Sequence, residues 1–344
     1  MTSPTSNGSG PSNFPGIPAD ATSASGAPYA PSSSSALSLN GANGYNQNPQ
    51  ARMNEEIVNH LYHAGFQNGL WADTVLHAHH TAYRLHAIIL SRSPYLAHLM
   101  STSPQNGGQR TIYLNLEHEP EVTVEGLAIA LGYLYSPISF NLVRAENARG
   151  VLAAGCLLGG VEELCTYAYE ACRQSITVET IDSWLAFSDL GPTPSSALSS
   201  PSTPTMDLTP HPQLPPTIFG LYAHRLRDDV FNFLVVQLPQ ILGVNPGTGA
   251  SPNADGRATL LQIYARVPFD LFKAAVESPT FQIGSDQARF KFAKEAIEFR
   301  KKGVARGSGA EETVVLAFGG GHDGGSAVHV TRKLRKRPLW KVNA

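Results

Sequence analysis

The sequence predicts an α+β protein: a small sheet flanked by helices, then an all-helical region, with a disordered N-terminus and a disordered linker. Three observations carry that reading. Short apolar runs with period two cluster between residues 72 and 116, the mark of half-buried strands. Residues 122–135 and 145–173 read as helices from the spacing of their apolar residues. Residues 1–50 and 191–216 are rich in Ser and Pro and lack an apolar face, so they cannot offset roughly 1–2 kcal/mol per residue of backbone ordering.

Each element follows from its residues. Asn54 is placed to cap a first helix, with Glu55 and Glu56 in the opening turn where the helix dipole favours negative charge. Ile57, Leu61 and Ala64 follow at i, i+4 and i+7 with Val58 and Tyr62 beside them, one apolar stripe that Gly65 closes. Residues 72–78 read as a strand, 79–81 as a polar turn and 82–86 as the returning strand of a hairpin. Pro94 suits the first position of a short helix over 95–100. Residues 111–116 read as a third strand, and 122–135 and 145–173 as helices. The resulting order is a disordered stretch 1–50, a domain 52–173, and a helical region 174–190 and 217–303 interrupted by the Pro/Ser/Thr linker 191–216. A flexible Gly-rich and basic tail covers 304–344.

Composition narrows the function class. The chain has 344 residues and a net charge of −2, which argues against nucleic-acid binding through a global positive field. Three cysteines argue against a disulfide-stapled secreted scaffold and for a reducing compartment. The first ten residues lack the basic start and apolar stretch of a secretory signal, and no apolar run approaches the roughly 18–20 residues of a membrane span. The expected setting is intracellular, in cytoplasm, nucleus or both, with no membrane partner.

Trp71-Ala72-Asp73-Thr74-Val75-Leu76, followed by Tyr83-Arg84-Leu85-His86-Ala87-Ile88-Ile89-Leu90-Ser91-Arg92-Ser93-Pro94-Tyr95-Leu96, resembles the core signature of BTB/POZ domains. In that family a strand with an Asp-Val type pair leads through a hairpin to a His, then to Leu-x-x-x-Ser-Pro-Tyr-Phe. Here the interval from Leu90 to Ser93 is one residue shorter. Asp73, His86, Leu90, Ser93, Pro94 and Tyr95 are the matching positions, and the resemblance implies that they are structural. A strand ending Leu114-Asn115-Leu116, a helix opened by Glu119-Pro120-Glu121 and ending Leu131-Gly132-Tyr133-Leu134-Tyr135, and a closing helix pair over residues 148–169 complete the order. The second half is similar, more weakly, to the helical BACK extension, from Ile176 to Thr180 and again from Leu260 to Arg300, including Phe281 to Asp286. The insert 191–216 departs from that compact pattern.

The remaining motifs carry little chemistry. His77, His79 and His80 lie together, but two imidazoles sharing a strand face are too few for zinc, and a polar hairpin tip is the simpler reading. No metal and no cofactor is expected. Cys156, Cys165 and Cys172 read as inert core thiols. Gly319-x-Gly321-x-x-Gly324 satisfies a dinucleotide fingerprint by letter, yet a strand pattern follows it where a phosphate-binding helix is needed. Arg332, Lys333, Arg335, Lys336 and Arg337 form a basic run that reads as a solvated tail, a nuclear import signal or an electrostatic contact with nucleic acid.

The expectation is therefore a non-enzymatic interaction module that self-associates and recruits partners. The resemblance implies a homodimer with the first helix at the two-fold contact, where Ile57, Val58, Leu61 and Tyr62 would lie. Two alternatives stay open: a substrate adaptor of a cullin-type ubiquitin ligase, and a nuclear, transcription-related regulator. Such adaptors commonly carry a hydrophobic-x-Glu element after the Pro-Tyr helix, and Ser101 to Arg110 contains no acidic residue.

Overall fold

A computed structural model describes residues 49–103, 105–106, 108–189, 217–244, 254–304, 312–318 and 328–334. Residues 1–48, the linker 191–216, the Gly319 to Gly324 motif, and Arg335, Lys336, Arg337 and Trp340 lie outside the described residues. The chain divides into two compact units, Met1–Val143 with Gly150–Cys165, and Arg144–Arg149 with Thr166–Ala344.

The first unit opens with α1 (Pro49–His60), which runs directly into a π-helical turn, Leu61–Gln67. Asn54 lies inside α1 and is no cap, and Gly65 is buried within the π turn, which continues two residues past it. The wider turn still sends both Tyr62 and Phe66 inward. A hairpin follows, β1 (Thr74–Ala78) and β2 (Thr81–Leu85), joined by His79 and His80 at φ 47° and 66°. Two consecutive left-handed residues give the hairpin turn whose twist matches its strands, a geometry usually met with Asn-Gly.

Next come α2 (Ala87–Leu90), α3 (Pro94–Thr102), the two-residue β3 (Gln105–Asn106) and β4 (Gln109–Tyr113). The sheet order is β2-β1-β4-β3, with β1 parallel to β4 and the outer pairs antiparallel. A parallel pair needs a crossover, and α2 and α3 supply it. The third strand expected over 111–116 thus begins and ends earlier and has β3 as an additional neighbour. Leu76, paired with Tyr83 on one side and Ile112 on the other, is fully buried, and all three point to the same core.

Helix α4 (Val124–Tyr135) starts at Thr123, whose hydroxyl accepts from the Gly126 N–H at 3.0 Å. A 3₁₀ turn, Pro137–Leu142, precedes α5 (Ala148–Leu158) and α6 (Glu162–Gln174). Gly159 and Gly160, at φ 64° and 68°, make the reversal between the last two. Helices α4 and α5 meet at glycines: a Cβ on Gly126 would lie 2.3 Å from the Gly150 carbonyl carbon.

The second unit contains α7 (Ile181–Asp189), α8 (Leu221–Asn232), a π turn Phe233–Gln237, α9 (Leu238–Ile241), α10 (Ala254–Arg266), α11 (Phe269–Glu277) and α12 (Asp286–Val304). Its centre is aromatic: Tyr264 stacks on Phe281 at 5.2 Å and meets Phe292 edge-on at 5.1 Å. The π turn has an identifiable cause. Pro239 has no N–H for the Val235 carbonyl four residues back, and the Gln282 N–H takes that carbonyl instead at 3.0 Å. The Tyr264 hydroxyl donates to the neighbouring Leu234 carbonyl at 2.9 Å.

Beyond residue 304 the described residues, 312–318 and 328–334, form strands that the composition does not suggest. β5 (Glu312–Phe318) and β6 (Val328–Leu334) pair antiparallel, with Val314 opposite Arg332 and Leu316 opposite Val330. Val328 and Val330 are fully buried, and the Val330 N–H donates to Glu277 Oε1 on α11 at 2.7 Å. The expected flexible tail therefore includes a docked hairpin, because alternate valines supply a buried face that local glycine content does not reveal.

Candidate interaction surface

The signature residues meet where the hairpin passes into α2. Asp73 Oδ1 accepts the Ala87 N–H at 2.8 Å, tying the start of β1 to the start of α2, and also the Thr74 hydroxyl at 2.9 Å. The His86 ring turns to other partners. Its Nε2 lies 2.8 Å from the Leu70 carbonyl, which can only accept, so Nε2 carries the proton. Its Nδ1 then accepts from the Tyr135 hydroxyl at 3.0 Å, and the same oxygen accepts the His86 backbone N–H at 2.9 Å. Burial pushes the Tyr135 phenol well up, with the nearby Asp73 charge adding to it, so the hydroxyl stays protonated and able to donate.

One turn further on, Leu90 is fully buried in the core. Ser93, also fully buried, caps α3 by accepting the Leu96 N–H at 3.2 Å and donates to the Leu158 carbonyl at the end of α5 at 2.5 Å. Pro94 occupies the first turn of α3, and Tyr95 is half-buried. The Arg92 guanidinium donates to the Leu134 carbonyl. Asp73, His86, Arg92 and Ser93 thus each hold one element of the junction to another.

Several large apolar side chains of this unit are exposed. Helix α1 buries no residue. Met53 is 62% exposed and Ile57 47%, Val58 and Leu61 are half-buried, and Tyr62 is only 2% exposed. Tyr62 is thus committed to the core of its own unit, packed against Phe66 at 5.6 Å; of the four expected contact residues it is the one the fold withdraws. Trp71 is 90% exposed at φ 63°, an uncommon conformation for a bulky residue. The backbone beside it is fixed by the His86 bond to Leu70 and the Leu70 N–H bond to Ala64. Ile88, on the outer side of α2, is 78% exposed.

Other sequence candidates take up different places. His77 stacks on Tyr113 across β1 and β4, centroids 4.9 Å apart, on the open face of the sheet, while His79 and His80 form the hairpin turn. Among the described residues no group of three or more His, Cys, Asp or Glu is arranged to hold a metal ion. Arg332 and Lys333 fall in β6. Two features escaped the sequence reading: Tyr135, because its partner His86 is 49 residues away, and Trp71 as an exposed residue, because nothing local separates it from a core tryptophan.

Comparison with known proteins adds one relative. The chain is 30% identical over 298 residues to BTB/POZ domain-containing protein 2 of Schizosaccharomyces pombe (strain 972 / ATCC 24843), an alignment that spans 84% of this chain and 92% of that protein. A scan against protein-family models finds no match.

Proposed function

The chain belongs to the BTB/POZ domain-containing proteins, and from that premise we propose that it is a non-enzymatic interaction module that pairs with a second copy of itself through α1 and recruits other proteins. The observation that carries the reading is α1 itself. It has twelve residues, none buried, with Met53 and Ile57 facing solvent. Only its far end is anchored, through the π turn that buries Tyr62 and Phe66, whereas most helical stability in proteins comes from packing an apolar face. The exposed Arg52–Glu56 pair at 3.1 Å contributes at most about 1 kcal/mol. A two-fold partner offering the same face supplies the missing cover.

Supporting this, the conspicuous polar residues of the signature are consumed in holding the fold, while Trp71 and Ile88 add large exposed apolar side chains of the kind enriched at interface centres. Sedimentation velocity on the purified chain is the test. Wild type sediments as a dimer, and Ile57→Asp sediments as a monomer with an unchanged circular dichroism spectrum, since Ile57 is exposed and lies outside the core of its own unit. A wild type that stays monomeric at high concentration overturns the reading.

A further inference from the structure

We propose that the basic run from Arg332 to Arg337 is a docking peptide for an acidic groove of the kind a nuclear import carrier presents, and that the β5–β6 hairpin withholds it until β6 leaves α11. The proposal does not rest on pairing through α1. Five of the six residues 332–337 are Arg or Lys, in a chain whose net charge is −2. A run of this length and density suits either an import carrier or a nucleic-acid backbone. The chain as a whole supplies no positive field to hold a nucleic acid, so the carrier is the better fit.

The first half of the run is folded away. Arg332, Lys333 and Leu334 end β6, in register with Val314, Thr313 and Glu312 of β5. A groove that reads an extended peptide uses its main chain as well as its side chains, and a strand committed to a ribbon on α11 does not enter it. Packing keeps the ribbon there. Val328 and Val330 are fully buried while His329 and Thr331 are exposed, and the Val330 N–H donates to Glu277 Oε1 at 2.7 Å. A two-stranded hairpin is marginal on its own in water, so strand pairing and docking stand or fall together. The nine residues that join the strands include five glycines, which raises the entropy the chain regains on release. The element therefore has two states: a docked hairpin with the run paired, and an undocked segment with the run extended and available. A partner that binds the second state draws the equilibrium toward it.

The test follows the full chain, fused to a fluorescent protein large enough to prevent passive diffusion through nuclear pores. Val328→Ser with Val330→Ser, and separately Glu277→Ala, loosen β6 from α11. Trypsin on the purified proteins reads that step. Cleavage after Arg332 and Lys333 quickens at least about tenfold, since a paired strand is cut only when it opens, while circular dichroism shows the helices retained. In cells wild type stays mainly in the cytoplasm, and the loosened chains move to the nucleus in the order of their trypsin rates. Adding Arg335→Gln, Lys336→Gln and Arg337→Gln to the double-serine chain returns it to the cytoplasm. Trypsin that cuts wild type as fast as the loosened chains, or a wild type as nuclear as they are, shows that nothing is withheld and overturns the proposal. Loosened chains that remain cytoplasmic, or nuclear accumulation that survives loss of the three charges, overturn it as well. A loosened chain that stays in the cytoplasm yet binds a duplex DNA oligonucleotide through those residues assigns the run to nucleic acid instead.

Discussion

One hydroxyl, that of Tyr135, sets both the position and the protonation pattern of His86. It accepts the His86 N–H and donates to Nδ1, which leaves the Nε2 proton for the Leu70 carbonyl. Tyr135→Phe removes both bonds while keeping the ring in place. The expected cost is about 1–3 kcal/mol, because a backbone N–H and a ring nitrogen are left unsatisfied. At roughly 2–4 °C per kcal/mol, thermal unfolding followed by circular dichroism reads it; an unchanged midpoint means that water replaces the hydroxyl. Tyr133 gives a pH-dependent counterpart. Burial first, then its 2.6 Å bond to Glu163 and that residue's charge, raises its phenol from 10.0 to about 12. The folded state therefore keeps a proton that the unfolded state releases, so the contribution is fully present below pH 10 and is lost as pH rises to about 12. Tyr133→Phe should flatten the alkaline loss of stability between those values, checked by urea midpoints at neutral pH and inside that window. The sequence shows His86 and Asp73 because they sit in a local motif. It does not show their partners: Asp73 bonds a backbone N–H across the junction and His86 a phenol far along the chain, and nothing in residue order encodes either.

Helices α4 and α5 approach each other only because two glycines face one another. A Cβ on Gly126 would come within 2.3 Å of the Gly150 carbonyl carbon, and one on Gly150 within 2.3 Å of the Thr123 hydroxyl that caps α4. Backbone cannot move aside as a side-chain tip can, so Gly126→Ala should cost about 1–3 kcal/mol through overpacking despite alanine's better helix propensity. Comparison of urea unfolding midpoints with wild type tests this, and a stabilised variant refutes the close contact. At this scale the sequence is informative wherever periodicity is strong. The hairpin, the β4 region, α4 and the closing pair all lie within a few residues of their expected places, since alternation and helical repeats are local signals. It is misleading where tertiary partners decide. Asn54 looks like a cap, yet the helix starts at Pro49. The region past residue 303 looks flexible, yet β6 finds a buried face and a Glu277 acceptor on α11. Near the end of α10, Arg300 donates to the carbonyls of Tyr264, Ala265 and Val267, a cap brought from α12 that no helix-end pattern in α10 announces.

For the molecule as a whole, the proposed pairing through α1 carries a thermodynamic consequence that no single-chain contact produces. If the folded state is a dimer and the unfolded chain is not, stability rises with concentration by mass action. Each tenfold increase adds about 1.4 kcal/mol per dimer, so the thermal midpoint of wild type should climb steadily across a dilution series. The variant that separates pairing from folding follows from the burial pattern. Tyr62 belongs to the core and Leu61 is half-buried, so charge placed at either also disturbs the unit's own packing. Ile57 is exposed on a helix that buries nothing, so an aspartate there costs little in a monomer and is strongly unfavourable once a partner covers it. Ile57→Asp should thus give a midpoint that no longer depends on concentration and that meets the wild-type line at high dilution. Should the wild-type midpoint stay flat over a hundredfold range, α1 has no partner in a second copy. A variant line that runs parallel to a rising wild-type line would instead place the pairing face elsewhere on the chain.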